Sequence, residues 1–184
     1  MKFKIFRFKK VKSTNSTAIR ILKNSNLNYG MIISKTQSNG KGQYKKKWIS
    51  YKGNLFVSFF YNIDYLKSSL NQLTLINCLL VKNLISKYYK KKIIFKKPND
   101  LLINKKKICG ILQETINKFD NRYLIVGIGI NLKKNPNIKN YPTENLSNLI
   151  KKNISKKKVE NELKKIFEVK LTKLYKINKI NKTN

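Results

Sequence analysis

In the stretch KKPNDLLINKKKICGILQE, residues 96–114, the runs LLI and KKICGILQE flank Asn104-Lys105, a pair that suits the turn of a β-hairpin. KIIFKK leads into this hairpin as a further strand, and NRYLIVGIGINL follows it as an apolar strand ending in glycines. Upstream, FKIFRFKKV alternates like a half-buried strand, MIISKTQ reads as a second, and GNLFVSFFY is another β-rich run. STNSTAIRILKNS opens with Ser/Thr cap candidates before Ala18, Ile19 and Leu22 at helical spacing. A long helix is expected over roughly residues 66–90, with Leu70, Leu73, Ile76, Leu80 and Leu84 on one side, and a lysine-rich helix over roughly 156–175. SNGKGQYKKK lacks periodicity and is expected to be an exposed, mobile loop, and the residues beyond Pro136 read as a polar link. The sum is an α+β fold, a mixed and mostly antiparallel sheet with packed helices.

A chain of 184 residues suits one well-buried core. A single domain is expected, with no internal repeat and no linker long enough to divide it. The formal charge of +34, from 42 Lys+Arg against 8 Asp+Glu, would ordinarily point to a polyanion partner. Lysine, asparagine and isoleucine are enriched together along the whole chain, however, as a genome biased toward A and T would produce. Compositional drift is therefore favoured over nucleic-acid binding. Histidine is absent, which excludes imidazole catalysis and histidine metal ligation. Cys78 and Cys109 show no ligand spacing and read as reduced, half-buried core residues of a cytosolic protein. No run approaches the ~20 apolar residues of a membrane span, so a cytoplasmic location is expected.

Three glycine-containing segments could let a ligand approach the main chain: GKG at 40–42, Gly110, and GIG at 127–129. None completes a nucleotide motif such as GxxxxGK[ST] or GxGxxG, and each can equally be a turn or bulge. Before residue 114 the only acids are Asp64 and Asp100. Asp100, between a Pro-Asn turn and an apolar strand, either caps that turn or orients an amine or a hydrated magnesium ion at a lysine-ringed site.

Taken in order, STN at 13–15, QSNGKGQYKKKW at 37–48, GNLFVS at 53–58, KPNDLL at 97–102, KKICGIL at 106–112 and VGIGINL at 126–132 resemble the catalytic domain of biotin protein ligases. The resemblance covers roughly residues 3–135, leaving 136–184 as a C-terminal helical extension. It implies a fold like that of class II aminoacyl-tRNA synthetases. It also implies an ATP- and magnesium-dependent enzyme that makes biotinyl-adenylate and transfers biotin to one lysine of a biotin carboxyl carrier protein.

By that resemblance Ser13, Thr14 and Gln37 would hydrogen-bond biotin's urea head group, Asn15 would be a further ligand-binding residue, and Gly40, Gly42, Gly110, Gly127 and Gly129 would line the pocket. Leu112 would be an apolar wall, and Trp48, Asn99 and Asn131 would lie near the nucleotide. Lys107 matches the family lysine beside the reacting carboxylate and α-phosphate. Asp100 matches the aspartate near the acceptor amine, and Lys41 takes the place of an arginine in the family's GRG loop. Gln43 stands where a second arginine is common, Lys45 where a glycine is usual, and Lys97 where a tryptophan is usual. No helix-turn-helix precedes residue 3, so specific DNA binding is not expected, and the small β-barrel typical of relatives is not found after the last helix. Lipoyl or octanoyl transfer on the same fold, and a non-catalytic basic module, are the rival readings.

Overall fold

The computed structural model describes residues 1–180. Its strands are β1 (Lys4–Val11), β2 (Tyr29–Gln37), β3 (Gly40–Lys41), β4 (Lys47–Trp48), β5 (Leu55–Asn62), β6 (Ile94–Lys96), β7 (Asp100–Ile103), β8 (Lys106–Lys118) and β9 (Asn121–Ile130). Seven of them form one sheet in the order β1-β2-β5-β9-β8-β7-β6, and β3 pairs with β4 in a separate ribbon. β1 and β2 are parallel, joined through α1 (Thr14–Lys23); the other neighbours in the large sheet are antiparallel. A parallel pair needs such a crossover, whereas antiparallel neighbours can be joined by tight turns. At the β7–β8 turn, Asn104 and Lys105 both take positive φ (49° and 63°), the backbone of a two-residue hairpin turn.

Strand alternation sends side chains to two covered faces. β5 is buried along its whole length. On one face Ile32, Phe60, Tyr123 and Ile125 pack against Ala18 and Leu22 of α1. On the other lies the larger cluster, built from Leu55, Val57, Phe59, Val126 and Ile128 of the sheet together with α2 (Leu70–Ser86) and α4 (Lys156–Ile180). A short helix, α3 (Leu146–Ile150), precedes α4.

One sequence expectation about the helices changes. The long helix starts at residue 70, not 66, because Ser69 and Gln72 form a reciprocal capping box that fixes its first turn. Its buried stripe runs through Leu73, Asn77, Leu80, Val81, Leu84 and Ile85, while Leu70 is exposed. The C-terminal helical extension packs into the body of the fold. Val159, Leu163, Phe167 and Leu171 of α4 belong to the same core as the sheet, and the Phe167 ring stacks on Phe59 at a centroid distance of 4.1 Å. Cys78 and Cys109 are free as expected, but buried outright rather than half-buried. Burial, then the charge of Asp100, pushes the Cys78 thiol up to about 12, and burial raises Cys109 as well.

Because Phe167 is fully buried against Phe59, Phe167→Ala should lower the unfolding free energy by about 3–5 kcal/mol in denaturant titration. A loss below about 1 kcal/mol would show that α4 is not integral to the core.

Candidate active site

The face of the sheet that holds α1 lacks side chains at one place. Gly110 and Gly129 are paired across β8 and β9, and Gly127 lies two residues earlier on the same face. A Cβ at Gly129 would sit 2.4 Å from the Trp48 indole, one at Gly110 2.6 Å from it, and one at Gly127 2.2 Å from Asn15 Oδ1. No side chain tolerates such contacts, so the indole and the amide rest directly on main chain. Between this floor, the start of α1, the β3–β4 ribbon and residues 136–143 lies a cavity of about 680 Å³.

At the α1 end the polar groups are tied to one another. Ser13 caps the helix. Thr14 donates to Gln37 Oε1 from both its backbone N–H (2.7 Å) and its hydroxyl (3.1 Å), and Gln37 Nε2 donates to Ser50 Oγ at 3.1 Å. Leu112 lines the wall beside Asn15. Asn99 and Asn131 also line the cavity, each donating from its side-chain amide to a carbonyl, of Ile111 and of Glu144 respectively.

A β-bulge between Leu101 and Leu102 shifts the β7–β8 register. In a regular strand Lys107 and Gly110, three residues apart, would point to opposite faces; here a Cβ at Gly110 would lie 3.3 Å from Lys107 Cε, so the two share the cavity face. Lys107 Nζ stands 2.8 Å from Asp100 Oδ1 and faces the rings of Trp48 and Tyr141, at 5.2 and 5.4 Å from their centroids. Tyr141 donates its hydroxyl to the other oxygen of Asp100. Burial, reinforced by that hydrogen bond, raises the pKa of the Tyr141 hydroxyl. Asp100 Oδ1 is approached by the ammonium outside hydrogen-bond alignment. With Trp48 Nε1 it is one of the few buried polar atoms with no hydrogen-bond partner among the described residues.

The segment expected to be an exposed, mobile loop is exposed over most of its length and carries a short two-stranded ribbon. Gly40 and Lys41 pair with Trp48 and Lys47, and the turn between them carries Tyr44 and Lys45 at positive φ (52° and 61°). A glycine is favoured in that backbone, and Lys45 occupies it here. Lys41, Gly42 and Gln43 reach the cavity, but Gly40 does not. It is buried under the ribbon, where a Cβ would meet the Trp48 carbonyl at 2.5 Å and Gln37 Nε2 at 3.0 Å. The other predicted residues all line the one cavity.

Tyr141 and Glu114 escaped the sequence reading. The segment carrying Tyr141 looked like a polar link, yet its backbone is stitched to Lys107: Lys107 N–H donates to the Pro142 carbonyl (2.9 Å) and Glu144 N–H to the Lys107 carbonyl (3.0 Å). Its one readable signal was an aromatic residue beside a proline in an otherwise polar run.

Residues 7–131 match the Biotin/lipoate A/B protein ligase family. The bifunctional ligase/repressor BirA of Bacillus subtilis is 34% identical over 134 residues, covering 72% of this chain and 41% of the relative. BirA of Escherichia coli is 30% identical over 102 residues, 54% of this chain and 32% of its own length. The chain thus spans at most about two fifths of these curated relatives. Among solved structures, a biotin protein ligase from Aquifex aeolicus in complex with biotin and ATP superposes with a TM-score of 0.78 at 29% identity, covering 94% of this chain and 72% of that one. The P. falciparum LipL1 complex with lipoate gives 0.62 at 15% identity, covering 94% and 63%, a likeness of fold alone.

Trp48 is the single tryptophan, so its emission reports on this cavity. Gly129→Ala should force the indole off the floor, shifting emission to the red and steepening quenching by acrylamide. Unchanged quenching would show that the ring does not rest on Gly129.

Proposed function

The chain belongs to the biotin/lipoate A/B protein ligase family, and from that premise we propose that it is an ATP-dependent biotin protein ligase. It activates biotin as biotinyl-5'-AMP and transfers the acyl group to one lysine of a biotin carboxyl carrier protein. The observation that carries this reading is the Lys107–Asp100 pair, 2.8 Å apart, set midway along a cavity with a polar end at α1 and a floor of bare backbone. An elongated ligand with a polar head and a terminal carboxylate fits that layout, its head at Ser13, Thr14, Asn15 and Gln37 and its carboxylate near Lys107.

In the first step a biotin carboxylate oxygen bonds to the α-phosphorus of ATP while the bond to pyrophosphate breaks. Charge grows on the oxygens around phosphorus, and the Lys107 ammonium, held by Asp100 and two aromatic rings, is a fixed counter-charge that needs no reorganisation. Lys41 and Gln43, on the ribbon, would face the phosphates from the opposite side. Trp48, Asn99 and Asn131 would wall the nucleotide end. In the second step the carrier lysine amine attacks the acyl carbon and AMP leaves. Among the described residues Asp100 is the one carboxylate lining the cavity, so we assign it to orient that amine and take its proton.

Magnesium enters with ATP. No three His, Cys, Asp or Glu side chains are grouped as metal ligands among the described residues, so the ion would be held chiefly by phosphate oxygens and water, the usual habit of Mg²⁺. No described helix is long and apolar enough to cross a membrane, consistent with a cytoplasmic place of work. Contact with DNA should be independent of sequence and steeply lost as salt rises.

The test is intact-mass analysis of a carrier domain incubated with the protein, ATP, magnesium and biotin. One biotin should be added per carrier, and lipoate in place of biotin should give no addition. Lys107→Ala should slow labelling by roughly a hundredfold or more, whereas Lys106→Ala, at a side chain 48% exposed and outside the cavity lining, should change it little. Equal small effects at both lysines would remove Lys107 from the reacting centre, and addition of lipoate would favour the rival transfer.

A further inference from the structure

Ser58, Gly127 and Leu112 form a row across three strands, since Gly127 pairs with Ser58 on β5 and with Leu112 on β8. The Asn15 side chain lies on this row. Its Oδ1 accepts the Ser58 hydroxyl at 2.6 Å, and its Nδ2 donates to Glu114 Oε2 at 2.7 Å and to the Leu112 carbonyl at 3.4 Å. Asn15 is 2% exposed and Ser58 fully buried, so bulk water cannot replace these partners.

The two ends of an asparagine amide differ in chemistry and not in shape, so their orientation is decided by what surrounds them. A carboxylate offers only acceptors. Glu114 therefore compels the NH₂ end to face it, with the Leu112 carbonyl taking the second hydrogen. Oδ1 is left above Gly127, with one lone pair taken by Ser58 and one free.

We propose that Glu114 is a positioning residue that, through Asn15, makes this end of the cavity demand a head group carrying an N–H donor. This rests on the ligase reading above and says which branch of the family's acyl substrates the chain selects. A cyclic urea supplies such a donor, and burying it there completes the Asn15 acceptor. A dithiolane ring or a saturated acyl chain supplies none and leaves the acceptor unpaired. Sites built to hydrogen-bond a ligand group reject analogues that lack it.

Removing the carboxylate should free the amide. In Glu114→Ala the Ser58 hydroxyl can turn to accept from Nδ2, so the flipped orientation, which presents a donor to the ligand, becomes accessible. The expected result is a weakening of biotin binding by roughly tenfold, the scale of one neutral hydrogen bond. ATP affinity should stay within about twofold, because Glu114 does not line the nucleotide end. Glu114→Gln keeps an acceptor toward Asn15 and should restore most of the loss. Lipoate, which makes no use of the Asn15 acceptor, should bind equally weakly to all three proteins.

The measurement is calorimetric titration of wild type, Glu114→Ala and Glu114→Gln with biotin, lipoate and ATP. Ser58→Ala serves as the second variant: it removes the other anchor of the same amide and should also lower biotin affinity selectively. A parallel loss of biotin and ATP affinity, or a biotin affinity unmoved in both Glu114→Ala and Ser58→Ala, overturns the proposal. Failure of the wild type to bind biotin would instead strike the ligase reading itself.

Discussion

The site depends on bare backbone at Gly110, Gly127 and Gly129 on the α1 face of the sheet. Farther along the same face Phe60 of β5 and Ile125 and Tyr123 of β9 pack on α1 in the ordinary way. Where the alternation reaches the glycines there is nothing to pack, and the space becomes a cavity with a main-chain floor. Trp48 from the ribbon and Asn15 from α1 settle on that floor. The glycines thus shape both the space and the placement of its two most intimate side chains.

Charge in this protein divides sharply by burial. Lys107 has a side chain 19% exposed, and it is surrounded by a carboxylate and two aromatic rings. Lys106, next to it, is 48% exposed, and its ion pair with Glu144 is a surface contact of the kind that contributes little. The bulge in the β7–β8 pairing separates them, turning Lys107 to the cavity and leaving Lys106 toward solvent. Most of the +34 charge lies on solvated lysines, which bear on solubility and association more than on chemistry.

The strands and the β7–β8 hairpin were legible because period-two patterning and a turn pair are local signals. So were the glycines, although only motif order gave them a shared purpose. The ribbon was not legible. Its order comes from Trp48 packing on Gly110 and Gly129, residues more than sixty positions away in sequence, while its own composition reads as a loop. Tyr141 was hidden for the same reason, being held by backbone bonds to Lys107 that no local pattern announces. Glu114 read as one acid at the end of a strand; its role emerges only when Asn15, ninety-nine positions away, is brought against it. Gly40, assigned to the pocket by its motif, is packed against the Trp48 carbonyl and Gln37 and does not line the cavity.

The central claim is that Lys107 and its surroundings activate a carboxylate with ATP before any carrier arrives. Biotin-dependent exchange of labelled pyrophosphate into ATP, measured on this chain without carrier protein, tests it most directly. The account predicts exchange that requires biotin and is abolished in Lys107→Ala. Exchange that proceeds equally without biotin, or none at all from a protein that binds both substrates, would contradict it.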